Sequence, residues 1–175
     1  MKQSERRYFA AGSVCFCFLQ TRTELRGGPG QGLTVGGTME SKRTFLIVTN
    51  NPLVAECVPA DYAVDFENIT YREILVKVRD LVYAGHRLYT HPLSGSVKPN
   101  ETPYKSVVVS RLPKGMEPEE AAIISSSIET FDKFTPRKRE LTQQMFKDFQ
   151  LIDYTLLCGA VGLDAAAGLS NRKSH

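Results

Sequence analysis

The chain has 175 residues, a length that suits one domain with tails. At 42% hydrophobic and 23% charged it is neither a disordered nor a fibrous protein. Its net charge of +3 comes from residues 1–38, where Lys2, Arg6, Arg7, Arg22 and Arg26 face only Glu5 and Glu24; the rest is balanced, with no basic stripe, which argues against a general nucleic-acid binder.

In chain order, Arg6 and Arg7 precede YFAAGSVCFCFLQ (8–20). This stretch imitates the core of a signal peptide. It lacks a small-x-small cleavage site and is too short to span a bilayer. The Gly-rich run GGPGQGLTVGGT (27–38) follows, and Met39 stands just before the first strand signal. Residues 1–38 are therefore expected to be a disordered or non-native extension, with a targeting segment as the alternative. The folded domain is expected over 39–158 and a flexible tail over 159–175.

TFLIVT (44–49) is a continuous apolar, β-branched run, the signature of a strand buried on both faces. Asn50, Asn51 and Pro52 break it, and LVAECV (53–58) reads as a short helix. YAVDFE (62–67) alternates like a second strand. Thr70 and Glu73 form a capping box. The helix behind it carries Ile74, Leu75, Val78, Leu81 and Val82 on one face and stops at Gly85. Residues 87–90 read as a third strand and SVVVSRL (106–112) as a fourth. Pro118, with Glu117, Glu119 and Glu120, opens a helix whose apolar face runs through Ile124, Ile128, Phe131 and Phe134. Pro136 is expected to start the last helix, with a stripe at Leu141, Met145, Phe149, Ile152 and Leu156. Strands alternating with helices predict a single three-layer α/β domain with a mostly parallel sheet and C-terminal helices. Ligands of such sheets bind beyond the carboxyl ends of the strands.

Between the last two strand signals lies THPLSGSVKPNETPYKS (90–106). Pro92, Pro99 and Pro103 restrict its backbone, and rigidity lowers the entropy lost on binding. Gly95 permits a tight turn. His91, Ser94, Ser96, Lys98, Asn100, Thr102, Tyr104, Lys105 and Ser106 offer donors for a carboxylate or phosphate. Asn50 and Asn51, at the end of the first strand, complete the candidate ligand-binding set. The bland alternative is an ordered connection bonded to its own backbone. GSV (95–97) is not a nucleophile elbow, and no phosphate-loop pattern is present. His86 and His91, five residues apart across a strand, fall on opposite faces, so no metal site is expected. Cys15, Cys17, Cys57 and Cys158 form no CxxC pair; they read as reduced thiols of a cytoplasmic protein. Arg79 and Asp80, adjacent on a helix, are expected not to face each other. Asp148 and Asp153 are expected on a solvated face.

LIVTNNPLV (46–54), VRDLVYAGHRLYTHPLSGSVKPNETPYKSVVVS (78–110) and DFQLIDYTLL (148–157) together resemble the GrdX family, small proteins encoded beside glycine, sarcosine and betaine reductase components in anaerobic amino-acid-fermenting bacteria. The resemblance implies a setting of reductive cleavage of glycine or its N-methyl relatives, yielding acetyl phosphate, and reductase subunits as partners. It brings no catalytic residues and no cofactor. The expected function is thus an accessory or regulatory protein that holds a small anionic metabolite or a reductase subunit through the 90–106 loop. The alternative is a small hydrolase or transferase acting on a phosphorylated or carboxylated metabolite, with His91 as its acid–base group.

Overall fold

The computed structural model describes residues 44–95, 97–134 and 140–170. The elements are β1 (Phe45–Thr49), α1 (Pro52–Cys57), β2 (Ala63–Phe66), α2 (Tyr71–Tyr83), β3 (Ser106–Ser110), α3 (Pro118–Lys133), α4 (Gln143–Val161) and α5 (Ala165–Ser170). Each boundary has a local cause. Asn51 ends β1 and caps α1, its side chain accepting from Leu53 N, with Pro52 at the first helical position. The capping box of α2 forms: Glu73 N donates to Thr70 Oγ1, and Thr70 N donates to the Glu73 carboxylate at 2.7 Å. Thr142 caps α4, and left-handed Gly162 ends it.

The sheet has three strands in the order β2-β1-β3. β2 pairs parallel with β1, but β3 pairs antiparallel with it, so the arrangement is a small mixed α/β fold and not the mostly parallel sheet expected. The reason lies in the 90–106 connection. A parallel return requires a crossover of a dozen or more residues, usually helical. The described residues of 91–105 hold no helix; the connection returns at the end of the sheet where it left, and β3 runs down beside β1.

Residues 87–90 also depart from expectation. They lie along β3 and bond to it through Ser110 N to Arg87 O and Tyr89 N to Val108 O, which gives the isolated bridge Leu88 to Val109. The ladder goes no further because Val108 N donates to Thr90 Oγ1, while Leu88 N, on the side away from β3, donates to Glu120 Oε2. Around that bridge a second polar cluster closes the far end of the sheet. Arg87 Nε sits 3.1 Å from Glu120 Oε1, Arg87 N donates to Ser110 Oγ, and His86 Nδ1 bonds Ser110 O.

Alternate β1 residues serve two cores, as the pleat demands. Leu46 and Val48, with Val107 and Val109, pack on α2 and α3 through Ile74, Leu75, Val78, Val82 and Ile124. Phe45 and Ile47, with Val108, pack on α1 and α4 through Leu53, Val54, Tyr154 and Leu157. Residues 159–170, expected within a flexible tail, are described as helix and turn, and 171–175 lie outside the described residues. α4 continues to Val161, and α5 folds back so closely that a Cβ on Gly168 would lie 1.9 Å from the Tyr154 hydroxyl. Arg79 and Asp80 do pair, at 2.7 Å, because the long arginine side chain bends along the surface to the Asp80 carboxylate. Pro136 and Ser96 lie outside the described residues. Among those described, no helix is long and apolar enough to cross a membrane.

Candidate functional site

Because β3 is antiparallel, its first residues lie beside the last residues of β1. That topology brings Thr49, Asn50 and Asn51 against Lys105 and Ser106. Asn50 is 5% exposed and fastens three segments: its Nδ2 donates to Ile69 O and Pro103 O, both at 2.8 Å, and its Oδ1 accepts from Lys105 N at 2.7 Å. Asn51 is fully buried. Beyond capping α1, its Nδ2 donates to Gln150 O and to Asp153 Oδ2, both at 2.9 Å. Ser106 donates to the same carboxylate twice, from N to Oδ1 at 2.9 Å and from Oγ to Oδ2 at 2.7 Å. Thr49 Oγ1 lies 2.7 Å from Ser106 Oγ and accepts from Asn51 N. Asp153 is thus the acceptor at the centre of a buried polar knot that ties α4 to the end of the sheet.

The knot divides the expected site residues. Asn50, Asn51 and Ser106 spend their polar atoms on the protein itself. Ser94, Thr102, Tyr104 and Lys105 instead line a narrow cleft against Tyr71, Asp153 and the Phe149–Ile152–Leu156 face of α4. Free space for water centres there is about 20 Å³, enough for one or two water-sized groups. The α4 stripe read from the sequence therefore faces this loop; the residues of α4 buried against the sheet are Tyr154, Leu157 and Cys158. Thr102 Oγ1 accepts from Tyr104 N, a local turn contact. The Tyr104 hydroxyl accepts from Gln150 Nε2 at 2.9 Å, leaving its own hydrogen to point elsewhere. His91 does not line the cleft; its Nδ1 accepts from Leu93 N, and its carbonyl accepts from Ser94 Oγ. Lys98 is exposed, and Asn100 lines a separate aromatic groove with Tyr71, Phe131 and Phe146.

Lys105 is the unusual member. It is 6% exposed, and the one hydrogen bond of its ammonium among the described residues is to Ser94 O, at 2.5 Å. Burial disfavours the charged form and pulls its pKa down to about 8, against the opposing attraction of Asp153. The same burial, with the Asp153 charge adding to it, pushes the Tyr71 phenol well above its usual value, so that hydroxyl stays neutral. His91 titrates below its ordinary value, chiefly through burial and then through the Lys105 charge. A cation, neutral hydroxyls and a dry apolar wall meet at one small opening.

Sequence reasoning missed Asp153, Tyr71, Thr49 and Gln150. For Asp153 a signal was present: it sits four residues after Phe149 and three before Leu156, inside the apolar stripe, where a solvated carboxylate does not belong. Tyr71 had no comparable signal, since an aromatic residue in the first turn of an amphipathic helix reads as ordinary core.

The family model described as GrdX-like protein matches residues 46–162. No curated protein and no solved structure matches the chain.

Proposed function

Since the chain belongs to the GrdX-like family, we propose that it acts as an accessory or regulatory protein of the glycine, sarcosine and betaine reductase system, holding a small anionic metabolite at Lys105. The observation that supports this reading is a buried ammonium on the wall of a cleft, bonded among the described residues to one backbone carbonyl. A charge so placed is costly to bury, and an incoming carboxylate or phosphate would offset that cost. Tyr104 would supply a neutral donor at the mouth, while the Asn50, Asn51 and Ser106 side of the knot holds the loop in place and leaves Asp153 on the cleft wall. A reductase subunit presenting an acidic group is the partner form of the same recognition. A cytoplasmic location accompanies both.

Isothermal titration of the full chain with glycine, acetyl phosphate and nucleotides tests the metabolite branch, and capture of reductase subunits tests the partner branch. Binding is expected to disappear in Lys105→Met while the fold persists. No heat and no capture would remove the reading. The enzymatic alternative is less well supported, because His91 does not line the cleft and its Nδ1 accepts from Leu93 N.

A further inference from the structure

We propose that the Lys105 amine is a covalent site, condensing reversibly with the carbonyl group of a small aldehyde or 2-oxo acid. The proposal deepens the reading of Lys105 as the cleft's recognition group, and rests on that reading for the cleft alone. Three features carry it. First, the amine is nearly enclosed, yet it lines an opening and among the described residues its hydrogen bond is to Ser94 O. A group needed only as a structural tie would be expected in a closed pair, as Arg87 is with Glu120. Second, the free volume beside it admits about one carbonyl unit, so only the reacting end of a small molecule enters and the remainder stays at the mouth. Third, the wall supplies the groups that condensation requires. Tyr104 keeps a hydroxyl hydrogen to donate, Asp153 stands as counter-charge, and Phe149, Ile152 and Leu156 form the apolar side of the opening.

The step balances without an external oxidant or reductant. The neutral amine attacks the carbonyl carbon, forming a C–N bond and a carbinolamine. Loss of the hydroxyl as water, with a proton from Tyr104 that the nitrogen later returns, breaks the C–O bond. The product is a neutral imine and one water, with the Tyr104 hydroxyl restored; uptake of one proton from solvent then gives the iminium beside Asp153. Hydrolysis reverses it. The lowered basicity of Lys105 helps, because it keeps a substantial neutral fraction near neutral pH.

The test uses the full chain with acetaldehyde or pyruvate in the presence of cyanoborohydride, followed by peptide mapping. Each trapped product adds the mass of the carbonyl compound less one oxygen. Label is expected on Lys105 roughly tenfold faster than on exposed Lys98 or Lys147, since the larger neutral fraction outweighs the lower nucleophilicity. Lys105→Arg should lose that fast label alone. Label spread evenly over surface lysines, or none at Lys105 in the unmodified chain, overturns the proposal whatever the variant does. Anion binding at Lys105 without trapping sinks this inference and leaves the functional reading standing. Trapping by acetaldehyde without any anion binding does the reverse.

Discussion

The two ends of the central sheet solve the same problem in opposite ways. Each holds a carboxylate beside a cation. At the far end, Glu120 is met directly by Arg87, and its second oxygen accepts from Leu88 N, so charge and lone pairs are closed together. At the end where β1 stops, Asp153 is satisfied by neutral donors from Asn51 and Ser106, and Lys105 is left to a backbone carbonyl. The closed pair behaves as architecture. The open arrangement keeps a cation in reserve at a higher electrostatic cost, which is how sites built for binding differ from sites built for stability.

Substitutions can break or sharpen that contrast. The largest effect is expected from Asp153→Ala. It strands the Ser106 and Asn51 donors and removes the counter-charge of Lys105, and should cost roughly 4 kcal/mol in urea denaturation. A loss under about 1 kcal/mol would mean the knot is ornamental. Next comes Lys105→Met, which should stabilise the protein by about 3 kcal/mol at neutral pH, the value of lowering a lysine from 10.5 to about 8. The sign follows from proton counting. Below about pH 8 both folded and unfolded chains carry the proton, and the full burial penalty applies. Between about 8 and 10.5 the unfolded chain binds more protons, so stability of the unmodified protein climbs with pH. The advantage of Lys105→Met should shrink across that window, as parallel melts at several pH values will show. Arg87→Met should act with the opposite sign, destabilising by roughly 2 kcal/mol because Glu120 loses its partner. Equal signs at the two ends would abolish the distinction drawn between them. Lys98→Ala, on the exposed part of the loop, should change the melting free energy by less than about 0.5 kcal/mol.

Much of the fold was legible because its cues are local. The β-branched run of β1, the Thr70–Glu73 box, Gly85 and Pro118 each act within a few residues, and each element formed where those cues stand. Strand direction was not legible, since it depends on whether a connection crosses the sheet or turns back, and no residue of 91–105 states that by itself. Residues 87–90 read as a strand by pattern and do bond to β3 through Ser110 N and Tyr89 N, yet the Thr90 hydroxyl takes the Val108 N–H and interrupts the ladder. In the site, Lys105 was named among the donors, but nothing in its neighbours distinguishes it from Lys98. Only burial does, and burial is set by α4 arriving from about fifty residues away. His91 attracted attention for its chemistry, but its ring is engaged by its own loop.

Asn50 has a kinetic consequence. Its amide joins carbonyls 19 and 53 residues distant, and its carbonyl oxygen holds the amide proton of Lys105. Contacts of that span form only after their loops close, and closure of long loops is slow. The cleft is therefore assembled late, after the local helices have nucleated. A nascent or heat-damaged chain can keep its helices while lacking any trace of the lysine pocket, so deuterium uptake at Lys105 and Ser106 will report whether the molecule is finished, where circular dichroism will not.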